Sequence, residues 1–207
     1  MIREVNIIHP FVIPIFEVIL GEFNLEEELR KRVTPTDFFV DQSPDLHTDE
    51  VFFPLVKEIT NLVSHVVCEA LEFKRWNASP PYDSHYEVDI TSMWGNIQKP
   101  GEQLRTHAHH NNILAGVFYL NENDDFPSIR FERPHFGSFD PLVDKFNAYN
   151  QGSYLIKPER NKVILFPAML SHGVDVNQST EDRLSISFNV MLRGRYSLPE
   201  QKQSVIL

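Results

Sequence analysis

The chain has 207 residues, a formal charge of −10 and a pI near 5.3, with 42% apolar and 23% charged residues. Surplus acid and the lack of any clustered basic run disfavour a phosphate backbone as partner, so nucleic acid is not expected. A single cysteine, Cys68, excludes an internal disulfide and fits a reducing compartment; it reads as a small buried apolar residue or as a reactive thiol.

The length suits one domain, 1–207, with a mostly helical support over 1–80 and a β core over 85–192. The N-terminal run 9-HPFVIPIFEVIL-20 is the one candidate for a targeting or membrane segment. Two prolines and Glu17 interrupt it, and it falls short of the ~20 residues a bilayer requires. No membrane partner is expected, and a cytoplasmic location is.

Residues 11–16 read as extended. The segment 24-NLEEELRKRV-33 begins with Asn24 as a cap and an acidic turn and ends in Arg and Lys, which predicts a dipole-matched helix. In 48–73, Leu55, Ile59, Leu62, Val63, Val66 and Ala70 recur at helical spacing, predicting an amphipathic helix over one face of a sheet.

From residue 85 the period changes to two. Tyr86, Val88 and Ile90 alternate with Glu87, Asp89 and Thr91 in a half-buried strand over 85–97. Further strands are predicted at 103–109, 113–120, 128–133, 153–157 and 162–166, with turns at 121–125 and 158–162. In 183–192, Arg183, Ser185, Ser187 and Asn189 point one way while Leu184, Ile186 and Phe188 point the other. That polar row faces either solvent or a ligand inside a barrel.

Three histidines stand in 104-LRTHAHHNNILAGVFYL-120. Side chains two apart on a strand share a face, so His107 and His109 converge and His110 turns away. A metal needs a third ligand from another strand, and His172, just after the apolar strand ending at Phe166-Pro167, is the candidate. Its plain alternative is a hydrogen-bonded structural histidine. Arg183 on a barrel strand is expensive to bury unless it meets an anion, and its fork suits a carboxylate to which Ser185 could also donate; a surface arginine is the other reading.

His107-x-His109, Gly116-Val-Phe-Tyr119-Leu, Phe166-Pro167, His172 and Arg183-Leu-Ser185 resemble the Fe(II)/2-oxoglutarate-dependent oxygenases. Trp94-Gly-Asn96, Pro100-Gly101 and Ser185-Ile-Ser187-Phe-Asn189 narrow this to a bacterial and phage group of that superfamily, over roughly residues 85–192. The resemblance implies a mainly β fold: a double-stranded β-helix, or jelly-roll barrel, with the N-terminal helices packed on one face. It gives His107 and His172 the two histidine positions of the metal triad and sets His109 where most members have Asp or Glu. Arg183 takes the position that binds the distal carboxylate of 2-oxoglutarate, Ser185 completes Arg-x-Ser, and Tyr119 and Asn96 become further cosubstrate or substrate contacts.

The implied activity is a dioxygenase with Fe(II) and 2-oxoglutarate as cofactors, hydroxylating a small-molecule or protein substrate with release of succinate and CO2. Three neutral imidazoles also suit zinc. A three-histidine zinc or cupin-like enzyme without 2-oxoglutarate therefore stays open, as does a non-catalytic jelly-roll module. His9, His47 and His65 read as surface or packing residues, and His85, His110 and His135 as loop histidines able to line a barrel mouth. Asp124 and Asp125 read as a solvated turn. The segment 133–152 reads as a lid or a crossover connection.

Overall fold

The structure, a computed structural model, describes residues 12–36, 40–71, 85–134, 142–195 and 204–205. His9 and His135 lie outside this range, as do the side chains of Cys68 and His85.

Among the described residues, eleven strands form two antiparallel sheets. The strands are β1 (Phe16–Ile19), β2 (Asp41–Gln42), β3 (His85–Gln98), β4 (Leu104–His107), β5 (Leu114–Tyr119), β6 (Ile129–Glu132), β7 (Ser153–Ile156), β8 (Lys162–Pro167), β9 (His172–Val174), β10 (Arg183–Arg195) and β11 (Ser204–Val205). The larger sheet runs β1-β8-β5-β10-β3-β2, with β11 also paired to β10, and the smaller runs β4-β9-β6-β7. This is the jelly-roll arrangement.

Period-two patterning sorts side chains to the two faces of the larger sheet. Leu184, Ile186, Phe188 and Val190 of β10 join Met93 and Phe118 in an apolar cluster under the helices, closed by Leu29, Leu55, Ile59 and Val63. The helices are α1 (Glu26–Arg32) and α2 (Phe53–His65). The opposite face sends Ala115, Val117, Tyr119, Ile164 and Phe166 against Ile129, Phe131, Ile156 and Val174 of the smaller sheet. Strand β5 is buried on both faces, which is why its sequence does not alternate.

Local readings shift in the N-terminal third. Helix α1 starts two residues after Asn24, and no side chain caps it; the Asn24 carboxamide instead accepts from Arg160 at 3.1 Å. The span 48–73 divides into a 3₁₀ turn (Glu50–Phe52), α2 and a π turn (Val66–Ala70), and Ala70 is exposed. Asp49 caps the first piece by accepting from the Val51 amide at 3.0 Å, and Pro54 opens the second, where its missing N–H costs nothing. The extended run begins pairing only at Phe16, and the N-terminal region supplies strands β1 and β2 as well as helices.

The segment 133–152 joins β6 to β7, which pair directly with Glu132 opposite Ser153, so it is a hairpin connection and not a crossover. Asp124 and Asp125 are exposed, and the Asn123 side chain accepts from the Asp125 amide at 2.9 Å. Among the described residues no helix is long and apolar enough to cross a membrane.

Candidate metal centre

Strand β4 ends at His107, beside His172 of β9 in register. His109 lies past the strand end. Its backbone N–H donates to the Ala168 carbonyl at 2.8 Å, which continues the extended course and turns its ring to the same side. His110 is exposed, and Asn111 follows with φ 64° in the left-handed region that asparagine tolerates.

The histidine rings meet tilted or stacked, with centroids 4.5 Å apart for His107–His172, 5.1 Å for His109–His172 and 5.1 Å for His107–His109. One ligand nitrogen from each lies within 4.8 Å of the others. His172 is 4% exposed, with Phe166 packed edge-on at 4.6 Å and Phe131 behind. Burial pushes its pKa down to about 3 and lowers that of His109. Both rings are therefore neutral near pH 7 and offer a lone pair.

Hydrogen bonds fix which nitrogen carries that lone pair. The Nδ1 atoms of His107 and His172 lie 2.8 Å from the Arg105 and Leu170 carbonyls. Carbonyl oxygens only accept, so both Nδ1 atoms are protonated. Nδ1 of His109 donates to Asn189 Oδ1 at 2.5 Å, and Asn189 Nδ2 donates to Ser92 Oγ at 3.0 Å. Each ring thus presents an unprotonated Nε2.

The fit of this set to a divalent ion follows from one distance. His107 Nε2 and His109 Nε2 lie 3.2 Å apart, and in the neutral Nδ1–H tautomers they face each other as two acceptors. Nitrogens each about 2.1 Å from a shared ion sit at roughly that separation. Three imidazoles and no carboxylate suit Fe(II), Zn²⁺ and other transition ions, with no preference for Mg²⁺ or Ca²⁺.

The histidines border a cavity of about 70 Å³ between the sheets, lined also by Tyr119, Asn96, Gln98, Arg183 and Ser185. The polar row of β10 faces it, against β3 on one side and β5 on the other. Ser185 stands between Asn96 and Tyr119 in register, and Arg183 is opposite Gln98. Arg183 is 4% exposed and its Cζ lies 4.9 Å from the Tyr119 ring centroid. Arg183 Nε, Tyr119 Oη and Gln98 Oε1 are buried without a hydrogen-bond partner. Among the described residues no ion pair includes Arg183. Burial lowers the Arg183 pKa and raises that of Tyr119, yet a guanidinium stays charged.

Every residue singled out in the sequence for this site therefore reaches the cavity wall, though Asn96 is already engaged. Its Nδ2 donates to Ser187 Oγ at 3.0 Å and its Oδ1 accepts from Gln42 Nε2 at 2.9 Å. Sequence reasoning missed Gln42 and Gln98; it placed Asn189 on the polar row and Trp94 in the family pattern without giving either a role, and the Trp94 ring stacks on His109 at 5.7 Å and 21°. For Trp94, Gln98 and Asn189 the inward side of the period-two pattern was a usable signal. For Gln42, on a strand of two residues, there was none.

A family model described as "Putative 2OG-Fe(II) oxygenase" matches residues 92–189. No curated protein matches the sequence. Among solved structures, a prolyl-4-hydroxylase of Pseudomonas putida is similar at 14% identity and TM-score 0.55, over 88% of this chain and 92% of that one. HygX of Streptomyces hygroscopicus, with nickel and 2-oxoglutarate bound, is similar at 13% identity and TM-score 0.58, over 86% and 82%. The epimerase SnoN, in complex with Fe3+, alpha ketoglutarate and nogalamycin RO, is similar at 11% identity and TM-score 0.60, over 93% and 88%. At these identities the structures speak for the fold alone, a double-stranded β-helix, and the family match runs from within β3 to within β10, the part of the chain that builds the cavity.

Proposed function

We propose that the chain is a metal-dependent oxidoreductase in which His107, His109 and His172 hold a divalent ion, Fe(II) in the leading reading, and Arg183 seats the distal carboxylate of 2-oxoglutarate. The observation that carries the cosubstrate is Arg183 itself: a buried guanidinium with an unpartnered Nε on the wall of the histidine cavity. Burying a lone charge costs several kcal/mol, so the position makes sense when an anion completes it. Tyr119 Oη, also unpartnered, and Ser185 line the same cavity and supply further donors.

With Fe(II) and 2-oxoglutarate bound, the site would use dioxygen as the oxidant and 2-oxoglutarate as the two-electron donor, one oxygen atom going to hydroxylate an unactivated C–H bond and the other to succinate as CO2 is released. The chain's own part is placement. The Arg105 and Leu170 carbonyls and the Asn189 carboxamide hold the three Nε2 lone pairs on one point. Arg183 fixes the far end of the cosubstrate by charge and fork geometry. Phe131, Phe166 and Val174 keep the inner wall dry.

A second cavity shares Gln42, Trp94, Leu104, His107 and His109 with the first and opens outward past Arg105, His110 and Asn112. Substrate enters from this side, facing the histidines, while the cosubstrate fills the inner cavity.

A second reading, a three-histidine zinc or cupin-like enzyme without 2-oxoglutarate, is favoured by the ligand set, which lacks the carboxylate usual in the superfamily. It leaves Arg183 without a use. One experiment separates the two. Anaerobic protein is loaded with Fe(II), then 2-oxoglutarate, and the visible charge-transfer absorption is recorded before air is admitted and succinate assayed. The first reading requires both signals and their loss in Arg183→Ala. Tight Zn²⁺ binding with no 2-oxoglutarate-dependent absorption would favour the second.

A further inference from the structure

We propose that Asn189 is a positioning residue for His109 and that, with Asn112, it forms a clamp of two neutral amides that sets the third ligand where a carboxylate is missing. The proposal rests on the metal-centre reading above.

The clamp has two arms, both anchored in β3. In the first, Asn189 Nδ2 donates to Ser92 Oγ at 3.0 Å, which leaves Oδ1 to accept the His109 Nδ1 proton at 2.5 Å. In the second, Thr91 Oγ1 donates to Asn112 Oδ1 at 3.2 Å, and Asn112 Nδ2 donates to the His110 carbonyl at 3.0 Å. Thr91 and Ser92 are consecutive, and on a regular strand they would point to opposite faces.

A bulge removes that obstacle. The β10–β3 register steps from Asn189 opposite Ser92 to Val190 opposite Ile90, leaving Thr91 as the extra residue. Bulges redirect side chains and recur beside active sites. Here one places two neighbouring hydroxyls where each reaches an amide that grips the 109–110 segment.

His109 needs this support more than its neighbours do. His107 and His172 are tied to carbonyls two residues before them, bonds that their own strands provide. His109 lies beyond the end of β4, so its ring is oriented by Asn189 and by the stacked face of Trp94. Losing the Asn189 acceptor frees the ring to turn over or change tautomer, which takes the lone pair away from the other two nitrogens. Partners of this kind on a ligating histidine are worth about 10–100-fold in metal affinity.

The test uses Co²⁺ alone as the probe, with the full-length chain. Asn189→Leu is expected to weaken Co²⁺ binding about 10–100-fold and to alter the visible ligand-field bands, with the metal-free melting temperature little changed. Asn189→Asp keeps the size and the acceptor and is expected to restore most of the affinity. Leucine binding as tightly as the unmodified chain, or aspartate binding as weakly as leucine, would overturn the proposal. Should Asn189→Leu not fold, Ser92→Ala carries the test: weaker Co²⁺ binding supports the clamp and unchanged binding overturns it. If the unmodified chain takes up no Co²⁺, the metal-centre reading itself fails and the clamp with it. If it binds and Asn189→Leu binds equally, the clamp alone fails.

Discussion

The Nε2 atoms of His107 and His109 face each other at 3.2 Å, although both rings donate through Nδ1. Two lone pairs at this distance repel in the metal-free chain, and a cation between them turns the repulsion into binding energy. A divalent ion is therefore expected to raise the melting temperature, by a margin equivalent to about 2.7 kcal/mol at a hundredfold excess over Kd. Calorimetry with and without Zn²⁺ or Co²⁺ measures it. His172→Ala is expected to abolish the shift, and an equal shift in that variant would refute the ligand set.

Arg183 separates stability from function. Replacing a buried, unpaired charge by an apolar side chain of similar volume is often stabilising by about 1–4 kcal/mol. Arg183→Met is expected to melt higher than the parent and to lose 2-oxo acid binding by at least about tenfold, since a charge-assisted bond contributes about 1.5–3 kcal/mol. Urea unfolding and isothermal titration of the metal-loaded protein check the two halves. A Met variant that is less stable would mean that the guanidinium already has a partner in the protein.

The buried histidines set a pH dependence with a definite sign. Burial holds His172 at about 3 in the fold, well below the ordinary 6.5, and lowers His109 in the same direction. Below pH 6.5 the unfolded chain takes up protons that the fold refuses, so unfolding is favoured as pH falls. The neutral-histidine contribution is complete above the unfolded pKa and is lost towards the folded one, with a slope approaching about 1.4 kcal/mol per pH unit for each group. Metal-free protein is expected to lose stability steadily from pH 6.5 to 4.5. His172→Asn is expected to flatten the slope, and an unchanged slope in that variant would show that His172 does not report it.

Gly173 sits where β9 meets β4, between His172 and Val174. A Cβ there would lie 2.9 Å from the Leu104 carbonyl oxygen and 3.0 Å from the Thr106 nitrogen, both backbone atoms. Gly173→Ala is expected to push β4 away from β9 and misalign His107 against His172, the pair in register at this point. Metal affinity is expected to fall more than stability does. Competition against a chelator, set beside the urea midpoint, decides it.

Much of this centre was legible because strand periodicity is a local property. The alternation in 183–192 put Arg183, Ser185, Ser187 and Asn189 on one face, and the structure turns that face to the cavity. His107 and His109 converge as their spacing implied, though a backbone bond to Ala168 holds His109 there after the strand has ended. What stayed hidden depends on pairing across the chain. The Asn189–His109 bond spans 80 residues, and Gln42 reaches Asn96 from a strand too short to show a period. The helix reading over 48–73 erred in its ends, because apolar spacing constrains a buried stripe but not whether a given turn is 3₁₀, α or π. Leu55, Ile59 and Val63 are buried as the spacing requires, and Asn24 lost its capping role to competition from Arg160.

Among the described residues, neither the inner cavity nor its mouth is lined by a single Asp or Glu, in a chain that carries 29 of them. With a divalent ion beside Arg183, such an interior acts as an anion exchanger wrapped in an anionic shell. The shell repels incoming anions at long range, and salt screens that repulsion over about 8 Å at physiological ionic strength. Added neutral salt is therefore expected to speed the uptake of 2-oxo acids even as it weakens their final affinity. Inorganic phosphate and sulfate become competitors that His109→Asp, by returning one negative charge to the centre, should partly expel. Stopped-flow binding at graded ionic strength reads both effects, and it makes the choice of buffer anion part of the enzymology of this fold.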